Sequence, residues 1–183
     1  MVLRNAVDNL CIYDPEFSGH AEAFQKDLGG STAIVAIQSM DDLKSAIENF
    51  SNIRFLDVCL HGTPGMIYFA NRGAMVGSYF GTLTQGSPFL NKGARILFES
   101  CEIGKGAEGD KFMDDLAKTM LLGKGGIIGA STVTNVVIMP KSSFSMGAFL
   151  APFSGGSLKV RQYDVNGNRI GSRSVNRYGS VVH

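Results

Sequence analysis

The order of apolar runs and helical stretches predicts an α/β chain. The expected architecture is a three-layer α/β/α sandwich around a mostly parallel sheet, followed by a C-terminal β-hairpin. Three observations carry this. Short β-prone runs recur at Val7 to Tyr13, Thr32 to Ile37, Ile53 to Leu60, Ala94 to Phe98 and Ile127 to Ala130. Stretches with the 3.6-residue spacing of a one-sided helix separate most of them. Near the end, Val165-Asn166-Gly167-Asn168 lies between two further β-prone runs, and Asn-Gly is a strong hairpin signal.

Element by element, Val7 to Tyr13 is a strand stopped by Asp14-Pro15. Ser18 is placed to cap a helix from about Gly19 to Leu28, closed by Gly29-Gly30. Thr32 to Ile37 is the second strand. Leu43, Ala46, Ile47 and Phe50 give Asp41 to Phe50 a helical stripe. Ile53 to Leu60 is the third strand and stops at His61. Residues 62–92 are less regular, with a short strand at Met66 to Phe69 and a broken helix from Tyr79 to Leu90. Ala94 to Phe98 is the fourth strand and leads into Cys101. Phe112, Leu116 and Met120 line one face of a helix from Glu108 to Leu122, which Gly123 ends. Ile127 to Ala130 is the fifth strand. Residues 133–156, rich in Ser, Met, Phe and Gly, receive no assignment. Leu158 to Tyr163 and Arg169 to Val175 form the hairpin.

With 183 residues, 44% of them hydrophobic and 18% charged, the chain suits one domain, residues 1–183. Its core is expected at about 7–132, with a C-terminal extension over 133–183. A net charge of +1 gives no electrostatic reason to expect nucleic acid or an acidic membrane surface as a partner. No apolar run reaches the roughly 18 residues that span a bilayer. Met1 to Asn5 lacks the pattern of a signal peptide, and the compartment stays open. Three cysteines without framework spacing argue against a disulfide scaffold. Neither Cys-x-x-Cys nor His-Glu-x-x-His occurs, so spacing predicts no metal site and no cofactor.

Two phrases carry chemistry. Leu60-His61-Gly62 ends the third strand, and Glu99-Ser100-Cys101-Glu102 ends the fourth. Parallel strands bring their carboxyl ends to one edge, where open α/β sheets place their sites. A histidine and a cysteine there can act as base and nucleophile. The oxyanion of a tetrahedral intermediate needs N–H donors, and Gly62 and Cys101 are the candidates. Cys11 and Cys59 lie inside apolar runs and read as small buried side chains. Cys101 differs, because Glu99, Ser100 and Glu102 surround it with polar groups.

The phrases Asp57-Val58-Cys59-Leu60-His61-Gly62 and Phe98-Glu99-Ser100-Cys101-Glu102-Ile103-Gly104 resemble the caspase-like cysteine peptidases of clan CD. The nearest likeness is to bacterial caspase-like domains of large surface and repeat proteins, with clostripains and legumains as relatives. Gly104 to Gly109, Gly109-Asp110-Lys111-Phe112 and Ala130-Ser131 extend the resemblance over about residues 53–132. It implies a caspase-like sheet, a Cys101 nucleophile, a His61 base and an oxyanion contribution from Gly62. It also implies that Glu99, two before the cysteine, helps form a specificity pocket. A carboxylate there favours Arg or Lys before the scissile bond, unless it pairs with an internal Arg or faces solvent. Legumains carry an acid there beside an arginine and prefer Asn, but Ser18-Gly19-His20-Ala21-Glu22 holds no arginine. His20 either lines the same edge or sits on the surface at a helix start. Ser131 and Thr132 are expected to offer backbone bonds to an extended peptide.

Two rival motifs fail. Gly104-Lys105-Gly106-Ala107-Glu108-Gly109 reads as a dinucleotide fingerprint, but no acid follows at the end of the next strand. Asp164 to Asn168 lacks the spacing and terminal Glu of a calcium loop. Two functions are carried forward. One is a cysteine endopeptidase acting on peptide or protein substrates. The other is a caspase-like module kept for binding, homo-association or a single self-cleavage.

Overall fold

Strand β1 (Asn9–Tyr13) is the hinge of the topology. Helix α1 (Ser18–Leu28) carries the chain from it to β2 (Thr32–Ala36) at one edge. Helix α2 (Met40–Asn49) returns the chain to β3 (Ile53–Cys59), on the other side of β1. The sheet then grows outward through β7 (Leu90–Phe98) and β8 (Gly126–Ser131), joined by α4 (Gly106–Met120). All four pairings are parallel. Strands β9 (Leu158–Tyr163), β10 (Arg169–Val175) and β11 (Val181–Val182) continue the same sheet antiparallel, giving the order β11-β10-β9-β8-β7-β3-β1-β2. The computed structural model describes residues 4–28, 30–69, 74–85, 87–133, 137–138, 153–154, 158–175 and 181–182.

Side-chain alternation divides the strands between two faces. Leu10, Ile12, Leu56, Val58, Ile96, Phe98, Ile128 and Ala130 face α2, α3 (Gly77–Thr84) and α4, whose Leu43, Ile47, Phe80, Phe112 and Leu116 close that core. Cys11, Phe55 and Leu97 face α1, through its Ala21 and Phe24. The expected α/β fold with a mostly parallel sheet, helices and a C-terminal hairpin is therefore present. A pair of two-residue strands, Asn5–Ala6 and Phe50–Ser51, sits beside the main sheet, and Val137–Ile138 pairs with Phe153–Ser154. The rest of the unassigned 133–156 stretch lies outside the described residues after Val133.

Several sequence expectations need correction. The cap ahead of α1 is Asp14, whose carboxylate accepts from the Glu16 N–H at 3.1 Å and starts a 3-10 turn over Pro15–Phe17. Ser18 is simply the first residue of α1. Helix α3 spans Gly77–Thr84, shorter than and ahead of the expected Tyr79 to Leu90. Leu90 instead opens β7, which absorbs Gly93 at φ +68° before the apolar run. His61 also does not start a loop. It opens β4 (His61–Thr63), which pairs with β5 (Met66–Tyr68) and then β6 (Ala74–Val76).

The hairpin is tied down by α4. Asp110 accepts from Lys159 Nζ at 3.0 Å and from Arg161 Nη2 at 2.9 Å. One turn on, Asp114 accepts from the Tyr163 hydroxyl at 2.9 Å and from Arg169 Nε at 3.1 Å. Arg161 is buried, so removing its carboxylate strands a guanidinium away from water. Asp110→Ala is therefore expected to cost about 2–3 kcal/mol in urea unfolding, and Asp115→Ala, whose carboxylate pairs with surface Lys111, about 0.5 kcal/mol or less.

Candidate active site

The carboxyl ends of β1, β3 and β7 meet at one edge, beside the point between neighbouring β1 and β3 where the strand order reverses. Leu60 is buried, and His61 follows it at the start of β4, with a side chain 24% exposed. Its ring lies between Phe17, 5.1 Å away, and Tyr68, stacked at 5.6 Å. Its Nε2 is 3.4 Å from Glu16 Oε2. One ring nitrogen of His61 and one oxygen each of Asp14 and Glu16 lie within 4.8 Å of one another. Two carboxylates thus stand beside the imidazole, an arrangement that can orient a histidine.

Cys101 lies in the turn that follows β7 and is partly exposed, whereas Cys11 and Cys59 are buried. The next residue, Glu102, holds φ +54°, a left-handed conformation uncommon for a residue with a side chain. The turn is pinned on both flanks. Glu102 N–H donates to Val133 O at 2.9 Å and Gly104 N–H to Ser131 O at 2.7 Å. On the other side, Gly65 N–H donates to Ile103 O at 3.0 Å.

Gly62 brings the two phrases together. A Cβ on Gly62 would stand 2.6 Å from Ser100 Cβ and 2.9 Å from Cys101 O. Backbone at this separation excludes any side chain, so the histidine strand presses directly on the cysteine turn. His61, Gly62 and Cys101 share one edge, as their positions at strand ends predict. Ser131 differs from expectation. Its carbonyl is used by Gly104, its side chain is buried, and its register partner is Leu158, which leaves Thr132 as the residue beyond the strand.

Glu99 does not face solvent, and among the described residues it meets no arginine. It is buried below the edge with Asp57, and His20 of α1 lies over both. His20 Nε2 donates to Asp57 Oδ2 at 2.6 Å and stands 2.9 Å from Glu99 Oε2. Burial works against a charged His20, but the Asp57 and Glu99 carboxylates outweigh it and hold its pKa up at about 11. Burial, then repulsion from Asp57, pushes Glu99 up to about 7 against the pull of His20. Both shifts make folding bind protons more tightly. The Glu99 contribution to stability is complete below its unfolded value of 4.5 and is lost as pH rises to about 7; that of His20 is lost between 6.5 and about 11. The melting temperature is thus expected to fall as pH rises from 5 through 8, and Glu99→Gln to flatten the portion below pH 6.5.

Sequence reading missed Glu16, Phe17, Asp57 and Tyr68. Asp57 is two residues before Cys59 and four before His61, and so shares the α1 face of β3 with Cys59. That spacing was visible, but its meeting with His20 depends on how α1 crosses the sheet. A protein-family model described as a domain of unknown function (DUF4347) matches residues 19–132. No curated protein matches the chain. The match covers more than half the sequence and takes in His20, Asp57, His61, Glu99 and Cys101, and on that basis the chain belongs to the DUF4347 family, a domain of unknown function.

Proposed function

We propose that this protein is a cysteine endopeptidase in which Cys101 is the nucleophile and His61 the general base. The observation that carries the reading is the backbone contact at Gly62, which fixes the histidine strand against the cysteine turn. His61 takes the Cys101 proton, and the sulfur attacks the scissile carbonyl carbon. The oxyanion is held by the N–H groups of Gly62 and Cys101. The carbon–nitrogen bond then breaks, and His61 gives its proton to the leaving amine. Water, deprotonated by His61, attacks the Cys101 thioester, and the thiol recovers its proton as the new carboxylate leaves. Glu16 and Asp14 stand beside the imidazole and orient it.

Specificity for Arg or Lys before the scissile bond follows from the charge below the edge. Asp57 and Glu99 are two carboxylates with one imidazolium between them, so a substrate cation is drawn there. Thr132 is placed to bond an extended peptide backbone. The test is hydrolysis of short fluorogenic peptides ending in Arg, Lys, Asn or Asp, run with a metal chelator present. Cleavage after Arg or Lys is expected. Cleavage after Asn or Asp keeps the enzyme and discards the pocket assignment. Absence of cleavage of all four favours a binding or self-processing module.

A further inference from the structure

We propose that His20, Asp57 and Glu99, with the thiol of Cys59 or Cys11, form a binding site for one divalent transition-metal ion, zinc above all. The proposal does not rest on the roles given to Cys101 and His61, although it uses the same carboxylates as the specificity pocket. No sequence spacing announces the site, because the topology assembles it. Strand register sets Cys11 opposite Asp57 and Tyr13 opposite Cys59. Glu99 N–H donates to Val58 O, which lays Glu99 alongside the end of β3. Helix α1 brings His20 across the face they share. Donor atoms of Cys11, His20 and Asp57 lie within 4.8 Å of one another, and so do those of His20, Cys59 and Glu99.

The cluster is short of positive charge. Asp57 is 1% exposed and Glu99 6%, yet among the described residues both form ion pairs with His20 alone. The single Nε2 proton is committed to Asp57 at 2.6 Å, so Glu99 Oε2, 2.9 Å away, faces a nitrogen with no second proton to give. Among the described residues, Asp57 Oδ1 and Glu99 Oε2 are buried without a hydrogen-bond partner. Buried carboxylates in this condition are costly and call for a cation. A divalent ion balances both carboxylates once His20 gives up its Nε2 proton, and a coordinating cysteine would release its thiol proton as well.

The donor chemistry selects the ion. Imidazole nitrogen, carboxylate oxygen and thiol sulfur suit zinc, whereas calcium and magnesium require mainly oxygen ligands. With metal–ligand bonds of about 2.0–2.3 Å, tetrahedral donors stand about 3–4 Å apart. Cys11 Sγ is already 3.4 Å from Asp57 Oδ2, and the two closer separations to His20 need open by less than about an ångström. A bound ion would remove the carboxylate surplus, so cleavage after Arg or Lys would belong to the metal-free chain.

The experiment is titration of the chelator-stripped, reduced chain with Co²⁺ and Zn²⁺, reading cobalt ligand-field and thiolate charge-transfer absorption and competing zinc against a chromophoric chelator. One ion per chain is expected, with a tetrahedral cobalt spectrum. Glu99→Gln and Asp57→Asn, which keep side-chain shape, are expected to weaken binding at least about tenfold, and His20→Ala likewise. Circular dichroism checks that each variant is folded. Loss of the charge-transfer band in either Cys59→Ser or Cys11→Ser names the thiolate. Cys101→Ala and His61→Ala are expected to bind as the native chain does. Failure to take up either ion overturns the proposal. So does binding that survives in both Glu99→Gln and Asp57→Asn, or binding that vanishes in Cys101→Ala, which would place the ion at the catalytic edge.

Discussion

Cys101→Ala is expected to reduce peptide hydrolysis to background, and His61→Ala to lower kcat/KM by about 10²–10⁴-fold. Both effects follow from the division of labour at the edge. Without the sulfur there is no thioester. Without the imidazole the thiol loses its proton acceptor and the leaving amine its donor. Because the two residues act as one unit, the double variant should be little worse than Cys101→Ala alone. Steady-state kinetics on a peptide ending in Arg or Lys measures this. Cys59→Ser is the control: Cys59 is buried, and burial first, then the Glu99 and Asp57 charges, raises its pKa far above the usual thiol range. Its hydrolysis should stay within a few-fold of native, in contrast to Cys101→Ala.

Gly62→Ala is expected to be the most disruptive single-methyl change at the edge. The new Cβ would stand 2.6 Å from Ser100 Cβ and 2.9 Å from Cys101 O, so β4 and the cysteine turn must part. Over-packing of this kind costs about 1–3 kcal/mol. Separating the dyad adds a loss of hydrolysis that stability alone does not account for, expected to exceed about tenfold, since small misplacements of reacting groups are costly. Gly19→Ala on α1 supplies the comparison, because a Cβ there meets nothing within 4 Å. Urea unfolding together with kcat on both variants separates a folding defect from a misaligned site.

What could be read from the sequence is what local pattern encodes. Ile53 to Leu60 and Ala94 to Phe98 announce strands through β-prone apolar runs, and a parallel sheet then sends His61 and Cys101 to one edge. Helix α3 was placed wrongly because Gly77 and Gly81 lower helix propensity. Packing overrides that preference: a Cβ on Gly77 would stand 2.2 Å from Phe112 O, so only glycine lets α3 approach α4 this closely. The start of β7 was hidden by Asn91-Lys92-Gly93, which reads as a turn but enters the strand through a register shift. The buried ionic cluster was the least legible. Cys11 and Asp57 come from two strands, Glu99 from just beyond the end of a third and His20 from a helix, and no spacing in the chain links them. Glu99 was legible as an acid near the nucleophile, but its partner His20 is set by the crossing of α1.

The central claim, that Cys101 is a nucleophile activated by His61, is tested most directly by covalent trapping. The native chain would be incubated with an Arg-directed peptidyl acyloxymethyl ketone and the adduct mapped by intact-mass and peptide mass spectrometry. The account predicts one adduct per chain, on Cys101, formed at least about tenfold more slowly in His61→Ala. Labelling absent from Cys101, or equally fast with and without His61, would contradict it.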